Sequence, residues 1–119
     1  MNKTAQGKIG EDLACEFLQK QGYKIIERNF RIRGGEIDIV ALDGNCTVYV
    51  EVKNRTNYQF GRPEESVTFW KLKFLERAAK FYRNNWRNLN LPNLERIDVV
   101  AVDLSQLEPQ IKLIKNAAF

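Results

Sequence analysis

At 119 residues, with 19 Lys and Arg against 15 Asp and Glu for a net charge of +4, the chain is sized for one domain with its own core and is too short for two. The complete absence of histidine excludes Ser-His and Cys-His nucleophile pairs and every His-ligated metal site, so any chemistry has to come from carboxylates, lysine, tyrosine or a thiol. The basic excess suits an anionic partner; no stretch approaches the roughly 20 apolar residues of a membrane span, no signal segment opens the chain, and the cytoplasm is the expected location.

In chain order, Thr4 to Gln21 reads as a helix closed by Gly22. Lys8, Asp12, Glu16, Gln19 and Lys20 share a polar arc, whereas Glu11 falls among the apolar positions, beside Gly7, Ala14, Cys15 and Leu18. A carboxylate there faces the protein and needs either an ion pair, a backbone cap or a metal ion. Cys15 and Cys46 have neither CxxC nor paired-motif spacing and read as two small buried residues in a reducing compartment. Tyr23 to Ile32 is a strand whose Arg28 and Arg31, with Arg33 just beyond, could line a phosphate path or simply be solvated charges on an edge. Gly34-Gly35 then turns the chain.

The next two runs, Ile37 to Leu42 and Thr47 to Val52, are rich in β-branched residues and flank Asp43-Gly44-Asn45, the pattern of an antiparallel hairpin. Alternation puts Tyr49, Glu51 and Lys53 on one face of the second strand, and Val48, Val50 and Val52 on the other; on the first strand Ile37, Ile39 and Ala41 oppose Glu36, Asp38 and Val40. With Gly44-Asn45 as the central loop residues of a type II′ turn, Asp43 pairs with Cys46, which sets Asp38 opposite Glu51 and Glu36 opposite Lys53; a loop at Asp43-Gly44 shifts the partners by two and leaves the same residues on one face. Two carboxylates facing across a ladder repel and call for a positive charge. A hard divalent ion such as Mg²⁺ or Mn²⁺, held by Asp38 and Glu51 with a backbone carbonyl and waters, answers that need, and Lys53 could position water or neutralise phosphate charge.

Asn54 to Pro63 reads as a loop carrying Arg55, Tyr58, Phe60 and Arg62, placed either to meet nucleic acid through charge and stacking or to cover the core edge. A second helix follows from about Thr68, its N-cap, to Trp86. Leu72, Leu75, Ala78, Ala79, Tyr82 and Trp86 form its core stripe, and Lys73, Arg77, Lys80, Arg83 and Arg87 a basic sector that is either a solvated face or a backbone-binding stripe. Lys71 lies on the apolar side, from which it either reaches the acidic face or snorkels outward. Trp70, Phe74 and Phe81 form a further line, expected to pack against a helix or tail. Ile97 to Leu104 is a nearly continuous apolar run, as expected of a strand covered on both faces, with Asp98 paired to Arg96 rather than catalytic, and Gln110 to Lys115 is an edge strand. Helix, three strands, helix, strand and edge strand make an α/β sandwich with a mixed sheet.

Asp38 followed after a turn by Glu51-Val52-Lys53 resembles the PD-(D/E)XK motif of the restriction-endonuclease-like nucleases, with Ile37 in place of the proline. The closer resemblance is to the YraN-like family, itself similar to archaeal Holliday junction resolvases. It rests on Gly10-Glu11, Arg28-Asn29, Gly35-Glu36-Ile37-Asp38, Glu51-Val52-Lys53-Asn54-Arg55, Gly61, Lys71, Ala78-Ala79 and Arg96-Ile97-Asp98. It implies a restriction-endonuclease-like αβββαβ sandwich with a central mixed β-sheet, and a Mg²⁺- or Mn²⁺-dependent DNA endonuclease. Asp38 and Glu51 would hold the metal, the Val52 carbonyl would add a ligand, Glu11 would complete or orient the shell, and Lys53 would assist the attacking water. Arg31, Arg33, Arg55, Arg62, Lys71, Lys73 and Arg77 are the candidate DNA contacts. Resolvase-like relatives work as dimers, so a homodimer is an open expectation. Two alternatives stand beside the nuclease: a non-catalytic nucleic-acid-binding or assembly module on the same fold, and a structural protein in which Lys53 and Lys71 satisfy the acids as an ion-pair network.

Overall fold

The computed structural model describes residues 3–57, 61–85 and 90–117. Helix α1 (Lys3–Lys20) leads into strands β1 (Lys24–Ile32), β2 (Gly35–Asp43) and β3 (Cys46–Arg55), a short 3-10 turn (Pro63–Ser66), helix α2 (Phe69–Asn85), and strands β4 (Leu94–Asp103) and β5 (Gln110–Ile114). The five strands form one sheet in the order β1-β2-β3-β4-β5, with β3 and β4 parallel and every other pair antiparallel. This is the expected mixed-sheet αβββαβ sandwich with an edge strand added.

The helix ends follow from their capping residues. Gly22 takes φ 94°, and Tyr23 N–H donates to Leu18 O (2.9 Å) while Gly22 N–H donates to Gln19 O (3.0 Å), a Schellman closure of α1. Thr68 Oγ1 accepts from Lys71 N–H (3.1 Å) and caps α2. Gly44, at φ 57°, occupies the first central position of the β2–β3 turn, and Asp43 pairs with Cys46 as a type II′ hairpin requires.

Each face of the sheet is covered by one helix. Ala14, Cys15 and Leu18 of α1 pack on Ile39, Ala41, Val48, Val50, Val100 and Val102. Leu72, Leu75, Ala78, Ala79 and Tyr82 of α2 pack on Phe30, Ile37, Val40, Tyr49 and Ile97. Val50 and Tyr49 thus serve opposite layers, and β4 is buried along most of its length because both layers use it.

Ile37 departs from simple alternation: it packs in the α2 layer, whereas Ile39 and Ala41 pack in the α1 layer. Asn29 on the neighbouring strand adopts φ 56°, the pairing passes from Arg28↔Ile39 to Phe30↔Ile37 without a register shift, and the irregularity of β1 lies earlier, between Ile25 and Glu27. Asn54 and Arg55 also differ from expectation. They extend β3 rather than beginning a loop, because the long β4 offers Val102 and Asp103 as parallel partners. Arg83 is not a solvated member of the basic sector: its Nε lies 2.9 Å from Glu95 Oε2 and its guanidinium also donates to the Pro92 carbonyl. Cys46 is half-buried rather than buried, and both cysteines are free thiols. Tyr58, Phe60, Trp86 and Arg87 lie outside the described residues.

Asp98 is structural, as its neighbour Arg96 suggested. Its carboxylate, with no solvent exposure, accepts from Arg96 Nε (2.9 Å), Tyr23 Oη (2.8 Å) and the Asn116 backbone N–H (2.9 Å), and Arg96 also reaches Asp43 (2.6 Å). Removing the cation leaves a buried carboxylate short of its counter-charge. Arg96→Met should therefore lower the unfolding free energy by about 3 kcal/mol in urea titration; a loss below about 1 kcal/mol would show that Tyr23 and Asn116 suffice.

Candidate metal centre

Helix α1 and strands β2 and β3 bring four carboxylates, Glu11, Glu36, Asp38 and Glu51, to one corner. The β2–β3 ladder runs from Asp43↔Cys46 to Ile39↔Val50 and stops one residue short of Asp38 and Glu51. There the Asp38 side chain takes over: its Oδ2 accepts the Val52 backbone N–H at 2.8 Å. In an extended strand the N–H and C=O of one residue face the same neighbour, so the Val52 carbonyl lies on the Asp38 side of β3. Glu36, two residues earlier, does not pair with Lys53. It faces Arg31 on β1 and makes an ion pair with it at 3.2 Å, because Gly35-Glu36 belongs to the β1–β2 hairpin end that the α2 layer covers. A Cβ on Gly35 would come within 2.8 Å of the Phe74 ring, which fixes the approach of α2 to this corner.

From α1, Glu11 enters the same corner with its side chain only 17% exposed, and carboxylate oxygens of Glu11, Glu36 and Asp38 all lie within 4.8 Å of one another. Close approach of α1 to β3 is possible because position 10 is glycine: a Cβ there would sit 2.4 Å from Asn54 Nδ2. Glu51 lies on the other side of Asp38, its side chain 3% exposed. Lys53 Nζ and Lys71 Nζ approach the same oxygen of it, Oε2, at 3.3 and 3.6 Å. Lys71 therefore reaches the acidic face rather than snorkelling to solvent.

The charges do not cancel evenly. Arg28 lies 3.6 Å from Glu11 but bonds more closely to Asp12 (2.8 Å), and among the described residues no lysine or arginine forms an ion pair with Asp38. Burial pushes the Asp38 carboxyl well above its usual range, the Glu51 carboxylate adds to the rise, and the Val52 N–H offsets part of it. Burial raises Glu11 as well, with Arg28 opposing and Glu36 adding. Two oxygens, Glu11 Oε1 and Glu51 Oε1, are buried without a hydrogen-bond partner. Orphaned buried carboxylate oxygens are costly. Their position on either side of Asp38, in an all-oxygen donor set, fits a hard divalent cation. The α1 side of the cluster opens into a recess of about 630 Å³ lined by Gly7, Lys8, Glu11, Arg28, Asn29, Arg31 and Glu36.

Of the residues singled out in the sequence, the fold thus gathers Glu11, Asp38, Glu51, Val52, Lys53 and Lys71. Arg31, Arg33 and Arg77 line a separate recess with Ile32 and Phe81, and Arg62 lines another beside Pro63 and Lys112. Lys73 lies over the Phe69 ring, and Arg55 donates to the Asn54 carbonyl at 3.3 Å. Glu36 was not among the candidates, although alternation puts it on the Asp38 side of its strand and could have flagged it.

A family profile described as "Uncharacterised protein family UPF0102" matches residues 10–102, a span that contains all of these acids and both lysines. The chain is similar to a UPF0102 protein of Caldicellulosiruptor saccharolyticus, 44% identical over 119 residues that cover 98% of this chain and 99% of that one. It is also similar to a UPF0102 protein of Dehalococcoides mccartyi, 46% identical over 116 residues (98% and 94% of the two chains), and to one of Thermodesulfovibrio yellowstonii, 42% identical over the whole of both.

Because Asp38 is held protonated above the range in which the unfolded chain ionises, the stability it contributes is complete at low pH and is lost as pH rises toward its folded value. In divalent-free buffer the melting temperature should fall from about pH 5 to about pH 8 more steeply in the native protein than in Asp38→Asn. Adding Mn²⁺ at the higher pH should raise it only in the native protein. Parallel melting curves for the two proteins would contradict the assignment of that carboxyl.

Proposed function

The chain belongs to the UPF0102 family, and we propose that it is a divalent-metal-dependent endonuclease that hydrolyses DNA phosphodiester bonds. The observation that carries this reading is the gathering of Glu11, Glu36, Asp38 and Glu51 at one corner, with Glu51 Oε1 buried without a hydrogen-bond partner and Asp38, among the described residues, without an ion pair. The resemblance of Asp38 with Glu51-Val52-Lys53 to the PD-(D/E)XK pattern supports it independently.

Asp38, Glu51, Glu11 and the Val52 carbonyl are the residues that would hold Mg²⁺ or Mn²⁺, with Glu36 close enough to share the outer edge. Such an ion supplies charge neutralisation and Lewis acidity at the phosphate. The remaining work falls to the chain. Lys53 Nζ, 3.3 Å from Glu51 Oε2, is anchored at the rim of the acidic corner, where it can orient an attacking water and exchange a proton with it. Lys71, at the start of α2, brings a second ammonium to the same carboxylate and can offset charge building on the phosphate. Arg31, Arg33 and Arg77 supply cations along one side for the DNA backbone, and Arg55, Arg62 and Lys73 are further candidates for it. Symmetric cutting of two strands would need two copies of the chain, which makes a homodimer part of the proposal.

One observation favours the structural alternative: both lysines already sit on Glu51. The network is incomplete, however, since both lysines meet Oε2 of Glu51, Glu51 Oε1 has no hydrogen-bond partner, and among the described residues no lysine or arginine pairs with Asp38. A self-sufficient ion-pair network would have closed those valences.

A panel of branched, flapped, nicked and single-stranded DNA incubated with Mg²⁺ or Mn²⁺ tests the reading. Lys53→Ala should cleave at least about 100-fold more slowly than the native protein while keeping its circular dichroism spectrum and DNA affinity. Undiminished cleavage by that variant would remove Lys53 from the reaction. No cleavage of any substrate by the native protein would favour the non-catalytic module.

A further inference from the structure

The outer face of α2 carries an aromatic and basic stripe that the acidic corner does not use. Trp70 is 78% exposed, Phe69 50% and Phe81 48%; of the line Trp70, Phe74 and Phe81, expected to pack against a helix or tail, Phe74 is buried over Gly35 and Phe81 is half exposed beside the Phe30 ring, 6.3 Å between centroids. Trp70, Lys73, Arg77 and Phe81 stand at i, i+3, i+7 and i+11, which brings them onto one side of the helix over about 17 Å. Lys73 Nζ lies 5.3 Å from the Phe69 ring centroid, the Arg77 guanidinium carbon 5.3 Å from that of Phe74, and the Phe69 and Trp70 rings meet edge to face at 5.3 Å. Lys73 also lies 3.5 Å from Glu76, the acid nearest this stripe. At its far end the stripe meets β1 in a recess of about 570 Å³ lined by Arg31, Ile32, Arg33, Arg77 and Phe81.

Exposed aromatics beside one another on a small domain are a binding feature rather than a packing one. Their setting among Lys73, Arg77, Arg31 and Arg33 selects an anionic partner with flat apolar faces. Position is the decisive point. Trp70 is the residue before Lys71, whose amine is 3.6 Å from Glu51, so the stripe begins on the same turn of α2 that delivers Lys71 to the acidic corner. We propose that Phe69 and Trp70 form a platform on which an unpaired base stacks beside the metal corner, with the strand continuing along Lys73 and Arg77 toward Arg31 and Arg33; the substrate is DNA that presents single-stranded nucleotides next to the cleaved bond. This inference rests on the nuclease reading and narrows its substrate class. Paired bases hide their faces within the helical stack, whereas an unpaired base gains stacking energy on an aromatic ring without any sequence requirement.

The test measures binding separately from cleavage. Fluorescence anisotropy is read in Ca²⁺ with a splayed-arm DNA, a fully paired duplex of the same length, and an RNA copy of the single-stranded arm. The native protein is compared with Trp70→Ala, Trp70→Phe and Asp38→Asn, the first of which removes a side chain too exposed to support the core. The splayed-arm DNA should bind more tightly than the duplex, Trp70→Ala should lose about tenfold of that affinity with little change for the duplex, and Trp70→Phe should recover most of it. Asp38→Asn should keep the preference for unpaired DNA while abolishing cleavage in Mg²⁺, so a platform without catalysis is told apart from catalysis without a platform. Equal affinity for paired and unpaired DNA, no effect of Trp70→Ala, or tighter binding of the RNA arm than of its DNA counterpart would each overturn the proposal.

Discussion

The corner of this molecule depends on one hydrogen bond, from the Val52 backbone N–H to Asp38 Oδ2 at 2.8 Å. It stands where the β2–β3 ladder ends after Ile39↔Val50, and it substitutes a side-chain acceptor for the backbone carbonyl that a continuing ladder would have supplied. The substitution draws Asp38 into the protein, beside Glu51 and within reach of Glu11 and Glu36. Burial without a cation is what raises the Asp38 carboxyl, and the same burial strips water from Glu11 Oε1 and Glu51 Oε1. Strand termination and the raised Asp38 carboxyl are therefore consequences of one local exchange of partners.

Around that point the two helices have different tasks. Helix α1 approaches β3 closely because Gly10 leaves room for Asn54, and this delivers Glu11. Helix α2 is seated by Phe74 against Gly35 and by Leu72 and Leu75 in the second core layer, and this delivers Lys71 to Glu51. Acids arrive with α1, β2 and β3, amines with β3 and α2, so the corner is assembled from every layer of the sandwich and exists only in the folded chain. On the far side of the sheet Asp98 shows the opposite outcome for a buried acid. With Arg96, Tyr23 and the Asn116 N–H around it, no bonding capacity is left for a metal ion.

Much of this could be read from residue order. Period-two alternation placed Asp38 and Glu51 on one face of the hairpin, and of the two registers that the Asp43-Gly44-Asn45 turn allows the fold takes the one with Gly44 first, Asp43 pairing with Cys46. The α1 and α2 boundaries came from Gly22 and Thr68. The failures share a physical origin in contacts between segments distant in sequence. Alternation alone assigned Ile37 to the layer of Ile39, whereas in the fold Ile37 packs with α2 and Ile39 with α1. Asn54 and Arg55 look like loop residues until β4, some forty residues later, supplies their partners. Glu36 appeared destined for Lys53, but the β1–β2 hairpin end turns it toward Arg31 and Glu11. Whether an aromatic on a helix faces the core or the solvent depends on where the sheet beneath it ends, and that separated Phe74 from Trp70 and Phe81.

On the proposed reading the Asp38 corner takes a divalent cation. That reading is tested most directly by isothermal titration of Mn²⁺ into the native protein and Asp38→Asn, each with and without nonspecific DNA. Saturable binding in the native protein that disappears in Asp38→Asn is the predicted result. The absence of saturable binding in the native protein under both conditions, or its survival unchanged in Asp38→Asn, would contradict it.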